Sequence, residues 1–136
     1  MAIPSNPILF PLMDLSHRDW QVIKGGGQWA LGKGFDGWAP FGLGLVSPQV
    51  LRDPRALRIS TAVNGEVVQE SSTNDLIFSV AKIISFLSTG TTLLPGDVIY
   101  TGTPEGVQLG SSNPKWLVNG DVVEVMVDLD VRTANT

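Results

Sequence analysis

Leu57-Arg58-Ile59-Ser60-Thr61-Ala62-Val63-Asn64-Gly65-Glu66-Val67-Val68-Gln69 carries the clearest local pattern in the chain. Leu57, Ile59, Thr61 and Val63 alternate with Arg58, Ser60 and Ala62, the period of a strand with one face turned inward. Asn64-Gly65 then supplies two residues that tolerate positive φ, as a two-residue hairpin turn requires. The stretch predicts an antiparallel hairpin.

Toward the C-terminus, Leu76, Ile77, Val80, Ile83, Ile84 and Leu87 recur at helical spacing and form one apolar stripe. Thr73 or Asn74 can cap this helix, and Gly90 can close it. Pro95-Gly96 turns the chain into an expected strand, Asp97 to Thr101, and a Gly/Pro loop runs from Gly102 through Gly110. The turn Asn119-Gly120-Asp121 leads into a last strand, Val122 to Val127, with Val123, Val125 and Val127 on one face. Toward the N-terminus, Trp29 to Gly44 predicts irregular backbone packed over a core. Ser16 and Asp19 have the spacing of a capping box for a short helix that Gly25-Gly26-Gly27 must end. Ile3 to Met13 is apolar and broken by proline, which predicts an edge strand or a packed arm. Strands dominate around one good helix without a βαβ pattern, so the expected class is β-rich α+β: one domain over residues 1–136, with 1–13 as its arm.

Composition narrows the function. A net charge of -4, with nine scattered basic residues, argues against nucleic acid, whose phosphates need a local surplus of Lys and Arg. The absence of cysteine excludes disulfides and thiolate zinc sites. No apolar run reaches the roughly 20 residues of a membrane-spanning helix. Pro4, Pro7 and Pro11 interrupt the apolar start, unlike the h-region of a signal peptide, so the cytoplasm is the expected compartment.

Four stretches carry a family resemblance. They are Asp14-Leu15-Ser16-His17-Arg18-Asp19-Trp20-Gln21; Leu31-Gly32-Lys33-Gly34-Phe35-Asp36; Val63 to Gln69 followed by Thr73-Asn74-Asp75-Leu76-Ile77-Phe78; and Leu94-Pro95-Gly96-Asp97-Val98-Ile99-Tyr100-Thr101-Gly102-Thr103-Pro104-Glu105-Gly106-Val107. In their order and spacing, from Asp14 to about Val127, they resemble the C-terminal core of the fumarylacetoacetate hydrolase family. The resemblance implies a mixed β-sandwich roll, a homodimer, and a Mg²⁺, Mn²⁺ or Ca²⁺ site. It also implies hydrolase or lyase chemistry on a small 1,3-dicarbonyl or 2-oxo acid.

Carried over residue by residue, it implies that Asp14 is a metal ligand and that Lys33 stabilises an oxyanion. Arg18 then neutralises enolate charge, Gln21 orients a substrate carboxylate or carbonyl, and Thr103 and Gly102 meet the substrate. The residues alone allow plainer readings: a turn carboxylate, a surface arginine with a solvated amide, a loop lysine, and a turn after a strand. Tryptophans Trp20, Trp29, Trp38 and Trp116 are expected in core packing, although they can also serve an interface.

The chain departs from the family pattern at four points. Relatives hold the metal with a Glu-x-Glu pair and a later Asp, but Glu66, Glu70, Glu105 and Glu124 include no such pair, so a weak site is expected. The family's upstream histidine-carboxylate lid has no counterpart. His17 stands where relatives generally have a small residue, and an imidazole can exchange protons near neutrality or simply pack. Asp128 and Asp130, two apart on an extended strand, are a formal substitute carboxylate pair, or a solvated strand end. The segment from Pro4 to Pro11 resembles one that lies well upstream in relatives, the arrangement expected of an internal deletion. Three functions therefore compete: a metal-assisted dicarbonyl hydrolase or lyase; a metal-independent isomerase, cyclase or dehydratase; and a non-catalytic binding protein.

Overall fold

The alternating stretch folds as expected in the computed structural model, which describes residues 10–42, 44–47, 51 and 53–128. Arg58–Val63 forms β1 and Glu66–Ser72 forms β2, paired antiparallel. Asn64 (φ 52°) and Gly65 (φ 81°) take the left-handed conformations that match the turn to the strand twist. Val123–Asp128 forms β3 and pairs antiparallel with the other edge of β1, in the order β2-β1-β3. Val123, Val125 and Val127 stand opposite Val63, Thr61 and Ile59, so these six side chains share one face. Glu124, Met126 and Asp128 are exposed on the other face.

Asn64 joins the hairpin to β3. Its backbone N–H donates to the Val122 carbonyl at 2.8 Å, and its Oδ1 accepts from the Val122 N–H at 2.9 Å. Its Nδ2 donates to Asp121 Oδ1 at 2.9 Å. Asp121 in turn closes the 118–121 turn, accepting from the Val118 N–H at 2.9 Å. These two donors, the Val118 N–H first and then Asn64, hold the Asp121 carboxyl below its ordinary pKa.

The helix is shorter than its apolar stripe. α1 spans Val80–Leu87, and Ser79 caps it by accepting from the Lys82 N–H at 3.3 Å. Thr73 is unavailable as a cap because its hydroxyl accepts from the Leu57 N–H and donates to the Pro54 carbonyl. Residues 73–75 form a separate 3-10 turn, and Ile77 is 90% exposed. Pro95-Gly96 makes the expected turn, with the Asp97 N–H donating to the Leu94 carbonyl. Residues 97–101, expected as a strand, join no sheet among the described residues. The expected arm falls mostly outside the described residues, but Leu12 bridges to Phe41.

Among the described hydrophobic residues only Leu51, Leu57 and Ile84 are buried. Trp20, Trp29 and Trp116 are 39%, 59% and 50% exposed, so three of the four tryptophans do not pack into a core within this chain. The described residues form one sheet with a short helix and tight turns. This agrees with α+β, and the second sheet of a sandwich is not among them.

Asn64→Ala removes two side-chain hydrogen bonds and places a Cβ-bearing, non-Asn residue at positive φ. It should cost about 1–3 kcal/mol, read from urea unfolding. The depressed Asp121 pKa stabilises the fold fully above its ordinary value of 3.8, and that stability fades as pH falls through the lower folded value. Asp121→Asn should therefore flatten the loss of stability below about pH 4. Asp53, held down by Arg55, titrates in the same direction in both proteins.

Candidate active site

The segment 13–17 runs extended beside residues 32–40. The Met13, Leu15 and His17 N–H groups donate to the carbonyls of Pro40 (3.0 Å), Trp38 (3.2 Å) and Gly32 (2.8 Å). Odd-numbered residues thus make the backbone bonds, and the side chains of Asp14 and Ser16 emerge together on one side. Lys33 meets both: its Nζ donates to Asp14 Oδ2 at 2.6 Å and to Ser16 Oγ at 2.9 Å. The Lys33 and Asp14 side chains are about a third exposed, so the ammonium is fixed in place but still reachable from solvent. Ser16, expected to cap a helix, is instead a partner of Lys33. The following turn, Asp19–Lys24, is π-type and starts from Arg18 without a side-chain cap.

Among the described residues Gln21 is the most buried polar one, at 1% exposure, and its Oε1 accepts from Arg18 Nη1 at 2.6 Å. The amide expected to orient substrate therefore anchors the guanidinium. Gly32 makes that burial geometrically feasible, since a Cβ there would lie 2.6 Å from the Gln21 Cβ. The His17 ring stacks on Trp38 (centroids 5.9 Å, planes 15° apart) and on Phe35 (5.6 Å, 27°). Stacking holds an imidazole by its faces and leaves its edge nitrogens to other chemistry.

Thr103 and Gly102 lie on the loop after residues 97–101. Gly102 has φ 106°, with open space where a Cβ would stand. Thr103 Oγ1 accepts from Gln69 Nε2 on β2 at 3.0 Å. Asp14, Lys33, Arg18, His17, Gly102 and Thr103 all line one concavity of about 2320 Å³. This exceeds the roughly 300–1,000 Å³ of a small-molecule pocket, so the hydrogen bonds, more than the shared wall, define the site. The structure joins Asp14, Ser16 and Lys33 in one contact group and Arg18 with Gln21 in another. It sets Thr103 on the wall of the same space.

Two participants escaped the sequence reading. Ser16 could have been found from its i+2 relation to Asp14 on an extended segment. Gln69 carried no local signal, since its partners lie more than thirty residues away.

A divalent-metal site needs several oxygen ligands, near-octahedral for Mg²⁺ at roughly 2.0–2.1 Å. Asp14, expected as the surviving ligand, is paired with Lys33, and no group of three or more His, Cys, Asp or Glu side chains stands together among the described residues. These residues do not by themselves fit Mg²⁺, Mn²⁺ or Ca²⁺. Asp128 offers no substitute, because it lies on the sheet face opposite Val127 and the concavity; Asp130 falls outside the described residues.

The chain is 47% identical over 115 residues to the mitochondrial oxaloacetate tautomerase of Xenopus laevis, covering 85% of this chain and 36% of that protein. Among solved structures it is similar to the fumarylacetoacetate hydrolase of Exiguobacterium antarcticum (TM-score 0.79, 40% identity, 86% of this chain and 41% of that one). It is also similar to the 5-carboxymethyl-2-hydroxymuconate delta-isomerase of Mycobacterium smegmatis (TM-score 0.71, 40% identity, 85% and 41%). The chain thus spans about two-fifths of the length of these relatives. Residues 9–135 match the model of the fumarylacetoacetate hydrolase C-terminal domain, and the chain belongs to the fumarylacetoacetate hydrolase family.

Proposed function

We propose that the chain binds a 2-oxo or 1,3-dicarbonyl acid and stabilises its enolate, in a tautomerase, isomerase or hydrolase reaction. The observation that carries this reading is the Lys33 ammonium, held by Asp14 and Ser16 in the large concavity that Arg18 and Thr103 also line. The relatives are named for reactions that all involve carbonyl-activated carbon: oxaloacetate tautomerisation, fumarylacetoacetate hydrolysis and hydroxymuconate isomerisation.

The chemistry needs few groups. A base takes a proton from the carbon beside the carbonyl, the C–H electron pair becomes the carbon–carbon double bond, and the carbonyl π pair moves onto oxygen. The resulting enolate is stabilised by fixed positive charge, and proton return to oxygen or carbon completes a tautomerisation. Lys33 supplies the charge at the enolate oxygen, and Arg18, anchored by Gln21, neutralises a carboxylate. Thr103 contacts a further oxygen of the acid. His17 carries the proton in this reading, since its stacked ring leaves the edge nitrogens to exchange it. Hydrolysis demands an activated water in addition. With one carboxylate already paired to lysine, metal-independent enolisation is the version these residues favour.

A homodimer belongs to the proposal, because the exposed Trp20, Trp29, Phe86 and Ile77 need cover. A monomeric mass by light scattering at micromolar concentration would remove that part.

Enolisation of oxaloacetate, followed by ultraviolet absorbance with and without EDTA, tests the rest. Lys33→Met should lower kcat by about 10²–10³-fold, the size of losing one oxyanion donor. His17→Phe keeps the aromatic stack and should lower kcat by about 10²-fold if the imidazole moves protons. Unchanged rates in His17→Phe confine that ring to packing, and unchanged rates in Lys33→Met overturn the whole reading. Activity that disappears in EDTA and returns with Mg²⁺ restores the metal-dependent alternative.

A further inference from the structure

We propose that Gln69 is the positioning residue for Thr103, setting its hydroxyl as a hydrogen-bond donor toward an anionic oxygen of the ligand. This rests on the reading of Thr103 as a substrate contact.

The side-chain amide of Gln69 is surrounded by acceptors. Its Nε2 lies 3.0 Å from Thr103 Oγ1, 3.1 Å from the Pro104 carbonyl and 3.3 Å from the Glu105 carbonyl. An NH₂ group has two hydrogens, so one is shared, and one side chain holds three consecutive residues of the loop. The sheet is built to aim it. β2 pairs Gln69 with Thr61 but Val67 with Ala62, leaving Val68 as the extra residue of a bulge. A bulge turns its neighbouring side chains relative to a regular ladder. The Val68 carbonyl faces Gly106 so closely that a Cβ on Gly106 would lie 2.1 Å from it. Gln69 and Gly106 therefore dock residues 103–106 on β2 from both ends.

The direction of the first bond has a chemical consequence. A hydroxyl that accepts from an amide keeps its own hydrogen for another acceptor. Thr103 then presents a donor to the concavity, suited to a carboxylate or enolate oxygen and unsuited to a ligand N–H.

Gln69→Glu is the discriminating substitution. It preserves size, but a carboxylate accepts where the amide donated: it would draw the Thr103 hydrogen to itself and release the two loop carbonyls. The probe is oxalate, a planar dicarbonyl dianion, titrated into the full chain and followed by NMR at Thr103. Amide exchange of residues 102–106 and of β1 is measured in parallel.

Gln69→Glu should weaken oxalate by about tenfold, as expected for a lost hydrogen bond to a charged group. Thr103→Val should do the same, and the double variant should be no weaker than Thr103→Val alone. Exchange in the loop should rise at least about tenfold while β1 is unchanged. Wild-type affinity with unchanged loop exchange in Gln69→Glu overturns the proposal, as does a full additive loss in the double variant. If the wild-type chain does not bind oxalate, the functional reading fails, and loop exchange still decides whether Gln69 positions the segment. Should Gln69→Glu not fold, Gln69→Ala takes its place in the same loop-exchange comparison.

Discussion

Asn64 is the residue on which the sheet depends. Its left-handed backbone turns β1 into β2, and the three polar groups it presents reach the turn and the first residue that lead into β3. A single residue, through backbone and side chain together, thus ties both neighbours to the central strand. The register it imposes places Ile59, Thr61 and Val63 opposite Val127, Val125 and Val123, which gives the concavity its apolar floor. Any residue without a carboxamide at this position would have to find another way to satisfy the Val122 N–H and the Asp121 carboxylate.

The candidate site is assembled from two structural economies. Residues 13–17 and 32–40 make a ribbon of backbone bonds with little regular secondary structure. The cations Lys33 and Arg18 are each held by a neighbour, Lys33 by Asp14 and Ser16 and Arg18 by Gln21. The loop bearing Thr103 has no ladder of its own and borrows rigidity from β2 through Gln69 and Gly106. Polar groups are therefore more ordered by contact than by burial. That is consistent with the small number of buried apolar residues and with the exposed tryptophans among the described residues.

A lysine bonded to the one carboxylate expected to bind metal changes what the pocket can do. In the proposed reading, the ammonium held by Asp14 and Ser16 is a positive charge in a partly sheltered place, where an oxyanion would feel it more strongly than in water. The same pairing competes with any cation for the Asp14 oxygen. Charge stabilisation by side chains and charge stabilisation by metal are thus alternatives at this position, and the proposed reading takes the first.

Features governed by neighbours in sequence were legible without coordinates. The β1–β2 turn followed from Asn64-Gly65, the Pro95-Gly96 turn from its residue types, the face of β3 from alternating valines, and the family from four ordered motifs. Their physics is local: φ preferences and side-chain periodicity act within a few residues. α1 is shorter than its apolar stripe, and Thr73 is drawn to Leu57 and Pro54 in place of capping it, a competition the stripe does not contain. For the same reason Ser16 became a partner of lysine instead of a cap, Gln21 was buried against Gly32, and Gln69 emerged as the holder of a distant loop. Sequence by itself determined which residue types were present and which short-range conformations they prefer. Tertiary structure alone decided which distant donors and acceptors meet, because a hydrogen bond between residues seventeen to fifty-eight positions apart exists only once the chain between them has folded.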